Sequence, residues 1–233
     1  MRTESKTSAI VLNKINYGEF DRILTLITED YGKIKVIAKS VRKQKSKMAS
    51  SLDYFCLSSI SFFPNSKGDI NRLISSNLDL YFDKIVADID KINLGFSFMK
   101  IIDKTVEGDE ASSYFNLLKD ALDYVNDMNV NLTFVSNWFH CQFLKIYGHM
   151  PNLLTQKTGE KLSEDISYQF SLDDFCFYPS NSESALNKDE IKYLRLLFSV
   201  GDIKVLSKVV KAETINTKLF PIIDAMFHNF NLV

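Results

Sequence analysis

The sequence predicts an α+β protein in which a small five-stranded β-barrel or sandwich precedes an α-helical domain. Three observations predict it. Apolar residues alternate with period two up to Tyr81, they recur every three or four residues after Asp83, and the charge changes sign at the same place. The first 80 residues hold 13 Lys/Arg against 8 Asp/Glu, and the remainder holds 15 against 21. A net charge of −1 for the whole chain therefore conceals a +5 segment followed by a −6 one. Such asymmetry points to two regions with different partners, which we expect to be domains at residues 1–81 and 82–233.

The strands follow in order. Ala9–Ile15 is the first, and Arg22–Thr28 alternates cleanly as the second. Glu29-Asp30-Tyr31-Gly32 forms a turn, with Gly32 free to adopt positive φ. In Lys33–Lys39 the period of two puts Lys33, Lys35, Ile37 and Lys39 on one face and Ile34, Val36 and Ala38 on the other. Phe55–Phe63 and Ile70–Leu80 complete the set, joined through Pro64-Asn65-Ser66-Lys67-Gly68. Closing five short antiparallel strands on one another would hide their edges.

Helices take over after Asp83. Ile85, Ile89, Ile92, Phe96 and Met99 trace a core-facing stripe, and Phe115, Leu118, Leu122 and Val125 repeat it within Glu110–Met128. Asn131–Tyr147 is the most apolar, with Phe134, Val135, Trp138, Phe139, Phe143, Leu144 and Ile146, and is expected at the centre of the helical domain. Gly148 can cap it and Pro151 prevents its continuation. A polar stretch at about 149–186 contains an expected strand pair, Gly159–Leu162 with Tyr168–Ser171. Helices at Asp189–Ser199, Asp202–Lys211 and Ile215–Phe230 complete the chain.

Composition and motifs exclude more than they select. With 45% hydrophobic and 24% charged residues the chain is neither collagenous nor disordered. Cys56, Cys141 and Cys176 are too scattered for a disulfide framework or a zinc site, and they suggest a reducing compartment. The N-terminus has no apolar signal core, and no apolar run approaches the ~18 residues of a membrane span. A cytoplasmic protein without membrane partners is expected. No phosphate-binding loop, dinucleotide fingerprint, zincin helix or serine elbow occurs, and His140, His149 and His228 stand alone. We therefore expect no enzyme, no catalytic residue, no cofactor and no bound metal.

The strongest functional signal is the run Lys33, Lys35, Lys39, Arg42, Lys43, Lys45 and Lys47, seven cations in 15 residues without an acid. It adjoins alternating strands and is followed by Tyr54, Phe55, Phe62 and Phe63. A basic strand face with aromatics on a small barrel suits single-stranded nucleic acid, through phosphate contacts and base stacking. The same residues also suit a solvated loop beside a core.

The order Tyr17-Gly18-Glu19-x-Asp21-Arg22-Ile23-Leu24-Thr25-Leu26-x-Thr28, Gly32-Lys33-Ile34, Ala38-Lys39, Arg42-Lys43, Ser46-Lys47 resembles the opening of the bacterial recombination mediator family RecO. Gly148-x-x-Pro151-Asn152-Leu153 and Leu186-x-x-Asp189 are similar to later landmarks of that family. The resemblance implies an N-terminal OB-fold barrel and an α-helical domain, often with a four-cysteine zinc module inserted. It implies single- and double-stranded DNA as ligands, annealing of complementary strands, and help in loading the RecA recombinase during DNA repair and recombination. It also implies a RecR-like partner, the C-terminal tail of the single-strand-binding protein as a second, and association with the nucleoid. For that tail, helices at Ile191–Phe198 and Lys204–Lys211 are the expected rim of an apolar pocket.

Two features depart from the family. Where zinc-bearing relatives have paired cysteines this sequence has Thr155-Gln156-Lys157-Thr158 and Pro179-Ser180-Asn181-Ser182, with Cys176 alone nearby. A small metal-free insert at about 149–186, packed by Phe170, Phe175, Phe177 and Tyr178, is expected in place of the zinc module. The ending Phe230-Asn231-Leu232-Val233 also lacks the basic tail many relatives carry. Two other readings stay open: an OB-fold interaction adaptor with weak or lost DNA binding, and an RNA-binding OB protein.

Overall fold

The computed structural model describes residues 3–66, 68–107, 112–127, 129–206, 208 and 212–230. The fold comprises two compact units, Met1–Val130 and Asn131–Val233. Five strands build the first: β1 (Ser5–Tyr17), β2 (Asp21–Thr28), β3 (Gly32–Ala38), β4 (Cys56–Phe63) and β5 (Ile70–Tyr81). They close in the order β1-β2-β3-β5-β4, antiparallel except for the short parallel pairing of β3 with β5. This is the five-stranded Greek-key closure of an OB-fold.

The expected alternation fills the barrel. Ala9, Val11, Leu24, Leu26, Val36, Ala38, Ile60, Phe62 and Leu73 form its core, with Val41 and Leu52 from the connection between β3 and β4. Ile10 and Ile27 face the other way and pair with each other, yet both are fully buried. Helices α2 (Ile89–Thr105) and α3 (Ser112–Val125) cover β1 and β2 there, so these helices and the short α1 (Asp83–Val86) belong to the barrel's own unit. Residues 81 and 82 mark the change from strand to helix, whereas the compact units divide after Val130.

The buried stripe of α2 differs from the expected one. Lys91, Gly95, Phe98, Met99 and Ile102 face inward, while Ile89 and Phe96 are exposed. The reason is the break at Ala87–Asp88, where Asp88 accepts hydrogen bonds from the backbone N–H groups of Asp90 and Lys91 and starts a new helix. Ile85 thus belongs to another helix and does not set the phase of α2. Glu110 and Met128, the expected ends of the next helix, lie outside the described residues.

The second unit is built on α4 (Leu132–Ile146), whose residues from Phe134 to Leu144 are all buried. Asn131 caps it by accepting from the Phe134 N–H, and Gly148, at φ +88°, turns the chain away at the other end. Helix α5 (Lys188–Ser199) begins in a reciprocal cap between Asn187 and Glu190; α6 (Ile203–Leu206) and α7 (Ala212–His228) follow. Lys211, the expected end of the penultimate helix, lies outside the described residues.

Between α4 and α5 the strand pairing is corrected. β6 (Tyr168–Ser171) pairs with β7 (Cys176–Pro179), and the Gly159–Leu162 segment contributes only an isolated bridge between Thr155 and Lys161. A tight turn between β6 and β7 brings Phe170 opposite Phe177, a cross-strand aromatic pair that the polar 159–162 segment could not supply. Among the described residues no group of three His, Cys, Asp or Glu side chains is placed to hold a metal ion, and no helix is long and apolar enough to cross a membrane.

Candidate nucleic-acid interface

The seven cations sit on β3 and on the connection that follows it. Six are exposed: Lys35, Lys39, Arg42, Lys43, Lys45 and Lys47. Lys33 differs, because its ammonium donates to the Asp103 carbonyl of α2 at 2.6 Å and lies 3.9 Å from the carboxylate. Its side chain is only 18% exposed.

The connection is fastened at both ends. Val41 and Leu52 enter the barrel core, and Met48, Ala49 and Tyr54 pack against it. Residues 42–47 form a short arch between these buried anchors. Cross-braces add to this. Asp21 accepts from the Lys39 ammonium and from the Ser40 backbone N–H, both at 2.7 Å. Arg42 donates from its backbone to the Phe20 carbonyl and from its guanidinium to the Gly18 and Glu19 carbonyls. Asp21 thus pairs with Lys39, while Arg22 reaches Asn16 at 3.3 Å.

The ammonium of Lys39, and after it the Ser40 N–H, hold the Asp21 carboxyl below the usual carboxylate range. A depressed pKa stabilises the folded state above the ordinary value of about 3.9 and ceases to do so as pH falls through the lower folded value. At neutral pH the brace is fully formed. Replacing Asp21 with Asn should speed tryptic cleavage at Lys43, Lys45 and Lys47 severalfold, and equal rates would show that the brace does not restrain the arch.

The aromatic residues fall elsewhere than expected. Phe62 is in the barrel core, Phe55 is buried, and Tyr54 packs on Phe96 at 5.0 Å. Only Phe63 lies half-buried on the outward side, opposite Arg72. The exposed rings next to the cations belong to the β1–β2 hairpin: Tyr17, and Phe20 with the Lys43 ammonium 5.3 Å from its ring centre.

Ladder register shows which side chains share the barrel's outer face. One row runs Ile15, Ile23, Ile37, Arg72 and Phe63 through β1, β2, β3, β5 and β4. A flanking row runs Asn13, Thr25, Lys35 and Ile70, and on the other flank Tyr17 opposes Asp21, which holds Lys39. Arg72, Tyr17 and Ile15 were not among the expected site residues. Period-two counting places Arg72 on a strand face, but only the β3–β5 register puts it beside Ile37.

The other chemically distinctive side chains are structural. Cys56, Cys141 and Cys176 are free and buried, and burial raises the Cys56 and Cys141 thiols above their usual range. Burial lowers the pKa of His140 to about 4, and its ring stacks on Phe227 at 4.4 Å. Lys192, on the expected rim of the apolar pocket, pairs with Glu164 at 3.1 Å, and Lys211 lies outside the described residues.

Residues 1–80 match the family described as "Recombination protein O N terminal". Among curated proteins, the chain is 33% identical over 149 residues to "DNA repair protein RecO" of Desulfatibacillum aliphaticivorans, covering 63% of this chain and 58% of that protein. It is 27% identical over 149 residues to the Exiguobacterium protein of the same name, covering 64% and 59%. A longer match joins it to the Syntrophomonas wolfei protein of that name, 25% identical over 199 residues and covering 82% and 78%. The matched region thus spans less than two thirds of the first two relatives' length. The closed five-stranded barrel thus carries, over residues 1–80, the sequence of that N-terminal family.

Proposed function

We propose that this chain is a recombination mediator that binds single- and double-stranded DNA and anneals complementary strands. The observation that carries the reading is the acid-free arch of residues 42–47, whose cations are exposed, anchored at both ends and borne with Lys35 and Lys39 on an OB-fold barrel. Neutralising two phosphate chains on one basic surface reduces their mutual repulsion, so that complementary strands can pair. Phosphate contacts fall to Lys35, Lys39, Arg42, Lys43, Lys45 and Lys47, because Lys33 is engaged by Asp103. The acidic remainder of the chain is the natural side for a RecR-like protein and the single-strand-binding protein's tail. Loading of the recombinase and work at the nucleoid belong to the same reading.

About five of these six engaged at once give a slope of log K against log[salt] near −3.5 on a single strand, from roughly −0.7 per contact. Changing Lys43, Lys45 and Lys47 together to Ala should flatten it to about −1.4. An unchanged slope would remove the arch from the site. Equal competition by matched RNA oligomers would favour the RNA reading, and no retardation of any strand at ~50 mM salt would favour an adaptor.

A further inference from the structure

We infer that the β1–β2 hairpin of one copy of this chain, with its exposed Tyr17 and Phe20, docks into an apolar pocket of a second copy. The exchange is reciprocal and closes a two-fold dimer, which DNA takes apart. The dimer does not depend on the proposed DNA binding; its release by DNA does.

The pocket has a volume of about 510 Å³ and lies where β5 runs into α1 and α2. Tyr54, Leu78, Tyr81, Val86, Ile92 and Phe96 line it. Leu78, Tyr81, Val86 and Phe96 are exposed, and Ile89, one turn before Ile92 on α2, is 66% exposed. A concave apolar surface needs a convex occupant, so two copies of the pocket cannot fill each other. The convex apolar feature of the same unit is the hairpin tip, where Tyr17, Gly18, Glu19 and Phe20 are all exposed.

Charge selects in the same direction. At the pocket rim Asp53 is neutralised by the Lys14 ammonium, while Asp83 shares the Val86 side of α1 and Asp88 starts α2. Lys84 falls on the opposite side of α1 by helical period. The rim is therefore acidic, which repels a nucleic-acid strand or an acidic peptide. The hairpin tip carries the opposite sign. Arg42 donates to the Gly18 and Glu19 carbonyls, and the Lys43 ammonium lies 5.3 Å from the Phe20 ring centre, so that two cations outweigh the Glu19 carboxylate.

Position lets the exchange close. Lys14 reaches the rim from β1, its ammonium 4.2 Å from the Tyr54 ring centre. Tyr17 follows three residues later, about 10 Å along an extended strand. Hairpin and pocket thus border each other in one copy, and a two-fold axis between copies brings each hairpin to the other's pocket. The contact covers Arg42 and Lys43, two of the cations proposed for phosphate, so a bound strand must displace it.

The test is sedimentation of the full chain at about 100 μM protein and about 50 mM salt. The expected wild-type species is a dimer, converted to monomers by excess oligothymidine. Phe20→Ala removes the hairpin's anchor, and Val86→Arg sets a cation in the pocket wall against Arg42. Each should weaken the dimer at least about 30-fold, the usual effect of losing an interface anchor. An equimolar mixture of the two variants keeps one of the two docking contacts and should form a heterodimer in preference to either homodimer, which two separate folding defects could not do. A wild-type monomer, a dimer that neither variant weakens, or a dimer that persists with oligothymidine bound would each overturn the inference. The first result would give the pocket to a basic, apolar segment of another protein. A wild-type dimer that the variants dissolve, in a chain that binds no DNA at low salt, would instead remove the proposed function and leave the dimer standing.

Discussion

Replacing Phe177 with Ala should destabilise the Asn131–Val233 unit by about 3–5 kcal/mol, the usual cost of emptying a large buried aromatic site. Phe177 is fully buried and stands at the centre of the insert. Its ring meets Phe170 edge-on at 5.3 Å and Tyr168 at 6.4 Å, and Phe170 in turn meets Phe175 at 5.5 Å. Its carbonyl accepts from the Lys157 N–H, so the loop of 155–161 is fastened to the same residue. Phe175 continues the cluster to Phe230 at 5.1 Å. Tyr178 was expected to join this packing, but its ring is 41% exposed and the alternation of β7 explains why: its neighbour Phe177 takes the inward side. The aromatic cluster thus does the work of ordering a short, strand-poor segment. Thermal unfolding of Phe177→Ala should show the loss, Phe177→Leu should lose much less, and a chelator should leave the wild-type midpoint unmoved. A chelator-sensitive midpoint would mean that a metal, not the rings, holds the insert.

The barrel was the most legible part of the chain, and the reason is physical. Each strand has a buried and an open side, so the period of two is written directly into residues such as Ile34, Val36 and Ala38. Helix α4 was legible for the opposite reason, being buried all round and apolar throughout. The phase of α2 was not, because the break at Asp88 is made by one side-chain cap and shifts every later position. The pairing of β6 was hidden too, since four-residue strands carry two inward positions each and the choice of partner lies in which rings meet. For the site, the cations were visible as a run, while the surface they border was not. Ile15, Ile23, Ile37 and Arg72 come from four different strands, and their adjacency is a property of register rather than of sequence spacing.

Buried anchors hold the connection that carries the arch, and a second large effect follows from the last of them. The arch connection ends at Phe55, a residue at φ +58° whose ring is driven against α2. Opposite it stands Gly95, where an added Cβ would come within 2.6 Å of the Phe55 ring and 3.5 Å of Leu122. A glycine inside a 17-residue helix normally costs roughly 0.5–1 kcal/mol relative to Ala. That cost is accepted because no other residue leaves room for the ring. Gly95→Val should therefore destabilise the Met1–Val130 unit by about 2–3 kcal/mol through overpacking, despite the better backbone propensity of Val. Phe55→Ala should cost about 3–5 kcal/mol by itself. Combined, the two should cost at least about 1 kcal/mol less than their sum, because the valine enters space the ring has left. Strict additivity in urea unfolding would show that Phe55 is not what excludes a side chain at Gly95, and the docking of the arch's far end would then rest on Leu52 and the barrel core alone.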